Sequence, residues 1–182
     1  DMTEANFFGA NLIGANLTEA NLTRAILVGA NLARANLARA NLTRAILVGT
    51  DMAEADMTRA ILTEANLIGA NLIGANLFGA DMAEADMTEA NFFGANLIGA
   101  NLTGIKGYSE SHDIFAELVC RQSDAFTISE WASIGQIVLY HFCWGEILRS
   151  FGNGMDPIFE RLAKVGFDEW QRKYRLYREE KK

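Results

Sequence analysis

Small apolar, polar and large apolar residues follow one another along the first 104 residues in a fixed beat of five. Nineteen of the twenty positions 5, 10, 15 … 100 are alanine, with Thr50 the exception. Two residues after each alanine stands Leu, Met or Phe, unbroken from Met2 to Leu102. The position between is Asn or Asp except at Ile26, Ile46 and Ile61, and the fifth position is always Gly, Glu or Arg. A period of five matches neither the 3.6 of a helix nor the 2 of a plain strand. It predicts a short extended piece of about three residues followed by a turn. In such a piece the alanine and the large residue, two apart, point the same way, inward, and alternate small with large to fill a narrow tube. Ten of the 21 fifth positions are glycine, which suits a turn residue with φ > 0. The Glu and Arg that share the position predict that positive φ is not compulsory there. Asn and Asp are poor strand residues, so their regularity predicts a coil rich in corners instead of a flat sheet.

The tandem unit A(N/D)LXX, 21 consecutive copies from residue 1 to about 104, resembles the pentapeptide repeat family. The resemblance implies an all-β solenoid, a right-handed quadrilateral β-helix in which four pentapeptides make one square coil. About five coils follow, a rod on the order of 25 Å long at ordinary strand spacing. In a coil of this kind a residue 20 positions later lies directly above on the same wall.

The pentads stop at Ile105-Lys106-Gly107, which divides the chain into a solenoid (1–104) and a small α-helical C-terminal domain (105–182). Ser109 or Ser111 caps a helix with Ile114, Phe115, Leu118 and Val119 on one face. Thr127-Ile128-Ser129-Glu130 is a capping box opening a long helix to about Phe151, stopped by Gly152 and apolar nearly all round. Asp156-Pro157 starts a third helix that ends at Gly166, and Asp168 caps a fourth with Trp170, Tyr174 and Tyr177 on one side. An open coil end exposes core side chains and strand edges, so the helical region is expected to cap the last coil. The resemblance adds a second role for it as a dimer contact. At the other end, either the first coils of two copies stack end to end in a homodimer, or that coil tolerates exposure.

Any function must then lie on the outer walls. Phe8, Val28, Val48 and Ile68 form a column with Ile26 and Ile46 beside it. This is a candidate interaction stripe, or else a ladder of side chains that stabilises the stacked strands. A second column, Glu4, Arg24, Arg44, Glu64 and Glu84, is a candidate charge ladder in which Glu4 pairs with Arg24 and Arg44 with Glu64. Residues 1–18 are identical to 86–103, an offset of 17 pentads, so the copy sits one wall round from the original. Asn21–Gly29 recurs at Asn41–Gly49 on the same wall. Identity over this length points to recent duplication or to engineered, consensus-style assembly. Rotation of a block onto another wall keeps the core while scrambling the outer surface.

The net charge of −7 argues against a nucleic-acid binder that relies on a basic surface. No apolar run reaches the length of a membrane span and no leader pattern opens the chain, and Cys120 and Cys143 in helical patterns favour reduced thiols, so a cytoplasmic protein without membrane contact is expected. The four potential ligands His112, Cys120, His141 and Cys143 are badly spaced for one metal ion, and no phosphate loop or nucleophile elbow occurs. No enzyme, cofactor or metal is therefore expected. The leading expectation is a non-catalytic structural or protein-interaction scaffold. The resemblance offers an alternative, a DNA-mimicking protein that binds type II topoisomerase, inhibiting gyrase or protecting it from quinolones. Against that alternative, Arg24, Arg34, Arg39, Arg44 and Arg59 break up the acidic surface, and no loop interrupts the register.

Overall fold

The computed structural model describes residues 1–108, 147, 150–164 and 168–179. Parallel bridges join residues 20 apart from one end of the repeat to the other, as in Asn11–Asn31–Asp51–Asn71–Asn91. Four pentads therefore close one coil. We number the walls first to fourth from Asp1, Asn6, Asn11 and Asn16 in coil 1, each wall ending in a two-residue corner.

Among the described residues of the coils no continuous strand forms, because each pentad contributes a single bridge residue before the chain turns. Each pentad nevertheless joins its neighbouring coils. Leu22 donates its N–H to Asn41 O at 2.8 Å and Arg24 to Thr43 O at 2.9 Å, while Asn41 donates back to Ala20 O at 2.9 Å. The Ala25 N–H closes a turn on Leu22 O at 3.0 Å, with Thr23 and Arg24 as its central residues. Only the second of these takes positive φ, as a type II turn requires.

That requirement corrects one sequence-based expectation. All the fifth positions lie in the left-handed region, ten glycines and eleven Glu or Arg, the non-glycines at φ 56–59°. Positive φ is thus compulsory at the corner. Glu and Arg satisfy it because neither branches at Cβ, whereas a β-branched residue would clash there.

The polar position has its own reason. The Asn31 Oδ1 accepts the N–H of Ala33 at 3.0 Å, and the Asp51 Oδ1 accepts that of Ala53 at 3.2 Å. The side chain holds the backbone as it enters the corner, and since only an oxygen is needed, Asp and Asn interchange. Ile26, Ile46 and Ile61 lack that oxygen. Between coils the amide also bridges to the preceding coil, as from Asn71 Nδ2 to Asp51 Oδ1 at 2.9 Å.

Inside, Leu22, Leu27, Leu32 and every large inner residue up to Met82 have no exposed surface, and the alanines between them are buried. Burying a leucine of this kind contributes about 1.5–3 kcal/mol, so the core is continuous along the coils. In coil 1 the corresponding residues, such as Phe7 and Leu12, are half-buried. Thr50 replaces the inner alanine without leaving its hydroxyl unpaired, because its Oγ1 donates to Leu27 O at 2.8 Å. The coil register continues past residue 104, with Asp86 bridged to Lys106.

The chain divides into two compact units, Asp1–Ser111 and His112–Lys182. In the second, Ile147, Ser150 and Phe151 are helical and a 3-10 turn occupies Gly152–Met155. Helix α1 (Asp156–Lys164) carries Pro157 in its first turn, where the missing N–H costs nothing, and buries Ile158, Phe159 and Leu162. Helix α2 (Glu169–Glu179) follows Asp168, whose carbonyl accepts the Arg172 N–H at 3.0 Å and whose carboxylate pairs with the Arg172 guanidinium at 3.0 Å. Trp170 and Tyr174, one turn apart on α2, are buried, and the rings of Tyr174 and Phe159 approach to 5.1 Å. The helices expected around Ile114 and from Thr127, together with the four His and Cys positions, Gly166 and the Tyr177 side chain, lie outside the described residues.

Candidate interaction surface

With the inner columns sealed, the side chains able to meet a partner are those of the bridge positions and the corners. The corner of the second wall stacks Phe8, Val28, Val48 and Ile68, tied by Gly9 N–H to Val28 O (3.0 Å), Gly29 to Val48 (2.9 Å) and Gly49 to Ile68 (2.9 Å). Phe8, at the end of the column, is 72% exposed, whereas Val28, Val48 and Ile68 are half-buried by one another. Ile26 and Ile46 are directly bridged on the same wall, and Ile46 is 38% exposed. The structure therefore brings the six stripe residues onto one wall and its corner, with Phe8 and Ile46 exposed and the other four half-buried.

On the corner of the first wall, Arg24 Nη1 meets Glu4 Oε1 at 3.1 Å. Arg44 engages Glu64 side-on, Nε to Oε2 at 2.8 Å and Nη2 to Oε1 at 3.1 Å. The hydrogen bond from Arg44 holds the Glu64 carboxyl below its ordinary range. Glu84 continues the column beneath Gly104 without an ion pair among the described residues. The same offset of 20 creates two further pairs that inspection of a single wall misses, Arg34–Glu54 at 2.9 Å and Arg39–Glu19 at 3.2 Å. All four pairs are exposed, and each contributes about 0–1 kcal/mol. Their larger effect is on the surface field. Every arginine of coil 2 is matched to a carboxylate in coil 1 or coil 3, while Asp81, Glu84, Asp86 and Glu89 of coil 5 make no ion pair among the described residues.

A second apolar cluster emerges only with the coils assembled. Ile73 and Phe93 stack on the corner of the third wall, and Phe78 and Ile98 on that of the fourth. Ile73 is 39% exposed, Phe78 42% and Ile98 59%. The signal was present in the sequence as large apolar residues two before successive pentad alanines at an offset of 20. It was harder to see than the stripe because it spans two columns, each only two coils high.

Among the described residues no group of His, Cys, Asp and Glu is placed to hold a metal ion, and no helix is long and apolar enough to cross a membrane.

The profile of the family described as pentapeptide repeats (8 copies) matches residues 1–37, 35–72 and 70–106. No curated protein matches the chain. Among solved structures, a pentapeptide repeat protein (Rfr23) from the cyanobacterium Cyanothece 51142 is 46% identical over 47% of this chain and 58% of its own, with a TM-score of 0.47. The alignment thus spans less than two thirds of that protein. A pentapeptide repeat protein from the Arabidopsis thaliana thylakoid lumen is 27% identical over 63% of this chain and 77% of its own, at a TM-score of 0.57. HetL, a pentapeptide repeat protein involved in heterocyst differentiation regulation from the cyanobacterium Nostoc sp. strain PCC 7120, is 31% identical over 57% of this chain and 60% of its own, at 0.29.

Proposed function

Because the chain belongs to the pentapeptide repeat family, we propose that it acts as a non-catalytic scaffold, a rigid rod that presents side chains on its outer walls to a protein partner. The observation that carries this reading is the sealed interior. From Leu22 to Met82 no large inner residue has exposed surface, so the coils offer no cleft in which a substrate could be desolvated or a carboxylate pKa raised. Corners and bridge positions are left to carry any function, and they repeat at fixed spacing on a backbone joined from coil to coil.

The arrangement of charge disfavours DNA mimicry. A phosphate-like surface needs uncompensated negative charge along the rod. Here Arg24 and Arg39 neutralise Glu4 and Glu19, and Arg34 and Arg44 neutralise Glu54 and Glu64, so the middle of the rod is a mosaic of ion pairs. The test is a DNA supercoiling assay with a type II topoisomerase and this chain in large molar excess. Unchanged supercoiling, with or without a quinolone, is expected. Inhibition, or protection from the drug, would replace the scaffold reading with the topoisomerase-binding one.

A further inference from the structure

The second wall, with the first-wall corner that opens onto it, carries charge in an order that is its own complement. Coil by coil it presents Glu4, Arg24, Arg44 and Glu64, then Glu84 with Asp86, then Lys106 where the register runs on past coil 5. The Glu64 carboxyl, held down first by Arg44, also feels the Lys106 ammonium, so Lys106 belongs to the same charged edge. The signs run minus, plus, plus, minus, minus, plus. Turned end for end, with coil 1 opposite coil 6, coil 2 opposite coil 5 and coil 3 opposite coil 4, every charge on this edge meets its opposite. A shift of one coil either way sets Arg44 against Arg44 or Glu64 against Glu64. Beside that edge the wall is apolar, with Ile26 and Ile46 at its middle and Val28, Val48 and Ile68 at its far corner. Ile26 and Ile46 are two of the three bridge residues that forgo the corner-holding oxygen. The fifth positions beside the apolar column are Gly29, Gly49 and Gly69, where an added Cβ would meet nothing within 4 Å, so the ground next to it is open.

We propose that the second wall binds a second copy of this chain, the two rods lying antiparallel and wall to wall about a two-fold axis between coils 3 and 4. Arg44 and Glu64 then meet Glu64 and Arg44 of the second copy, closing a ring of four alternating charges. Arg24 meets Glu84 and Asp86 of the second copy, carboxylates without an ion pair of their own among the described residues, and Lys106 meets Glu4. On the apolar side Val48 packs against Ile68 of the second copy, while Glu89, across from Gly29, stays at the rim. Parallel rods would instead set the charged corner of one copy against the apolar corner of the other, so the charge order selects the antiparallel pair. The net charge of −7 does not oppose it, because repulsion beyond about 8 Å is screened at physiological salt while charges in contact are not. About five coils at roughly 4.8 Å make a face on the order of 25 Å long and one wall wide, at the small end of specific interfaces. A reversible dimer with a dissociation constant of about 1–100 μM is therefore expected. This pairing rests on the scaffold reading and names the partner of its second wall.

Sedimentation of the full chain from about 1 to 500 μM reads the association, and two charge variants test the register. One is Arg24→Glu with Arg44→Glu, the other Glu64→Arg with Glu84→Arg, and the corner already accepts both residue types at φ 56–59°. Each alone sets like charges face to face and is expected to dimerise at least about tenfold more weakly than the parent. Mixed in equal amounts, the two columns become opposite, and a heterodimer of parental affinity is expected. Ile46→Asn tests the apolar side without charge. Asn holds that column at Asn6 and Asn66 and brings back the corner oxygen, so the coil keeps its thermal melt while the dimer weakens by about tenfold. Should either charge variant fail to fold, Ile46→Asn decides alone. A parent that stays monomeric throughout, a dimer that none of these changes weakens, or a mixture that does not recombine overturns this face. None of those results touches the scaffold reading, which altered supercoiling alone would remove.

Discussion

A corner residue held at φ near +58° fixes the chemistry of the whole outer surface. Glycine meets the demand freely, and Glu and Arg meet it because an unbranched Cβ tolerates the left-handed region. Arg59 isolates the effect, since no ion pair involves it among the described residues. Arg59→Gly should stay within about 1 kcal/mol of the parent, as relief of the backbone offsets the entropy glycine loses on folding. Arg59→Val should destabilise by about 1–3 kcal/mol, read as a lower denaturant midpoint at unchanged slope. A second residue-scale prediction concerns Glu64. Held down by the Arg44 hydrogen bond, its folded pKa lies below its unfolded one, so its contribution is present above the unfolded value and is lost as pH falls through the folded one. A carboxyl titration by NMR should give Glu64 a midpoint below the ordinary range, moving upward in Arg44→Gln. At this scale the sequence was half legible. Restriction of the fifth position to three unbranched residue types was visible, but the mixture of glycine with charged residues looked like freedom from a backbone constraint. Only the dihedrals reveal that the constraint is universal.

Within one pentad, a side-chain oxygen, a turn and a bridge replace the ladder of an ordinary strand. The oxygen two residues before each corner N–H makes the polar position structural, a role that composition alone could not assign. Asn36→Ala removes the bond from Ala38 N–H, now 3.0 Å long, and should cost about 0.5–1.5 kcal/mol in a denaturant melt. Periodicity sufficed for the inward alternation of Ala with Leu, because a repeat of five with two inward positions has no competing helical or strand reading. The offset of 20 sufficed for Arg24–Glu4 and Arg44–Glu64, yet the same rule applied to every wall would also have found Arg34–Glu54, Arg39–Glu19 and the apolar pairs Ile73–Phe93 and Phe78–Ile98. The expected helices α1 and α2 began where Pro157 and Asp168 placed them, since capping and first-turn signals are local and survive without tertiary knowledge.

Across the whole repeat, stability is a sum of coils and the interfaces between them. A scaffold of this kind works only if the interior coils behave as one body, so that residues spaced along a wall keep their separation when a partner pulls on them. Each interior coil is joined to its neighbours by three backbone hydrogen bonds per pentad and by a continuous core, and nothing in coils 2 to 4 breaks that pattern. Residue-resolved amide hydrogen exchange on the full chain tests this directly. The Leu27, Leu37, Leu47, Met57 and Leu67 amides, each bonded to the following coil at 2.7–2.8 Å, should exchange only through global opening, with one shared free energy and one shared denaturant slope. A staircase of lower opening free energies, coil by coil, would show a string of loosely coupled turns and contradict the rigid scaffold.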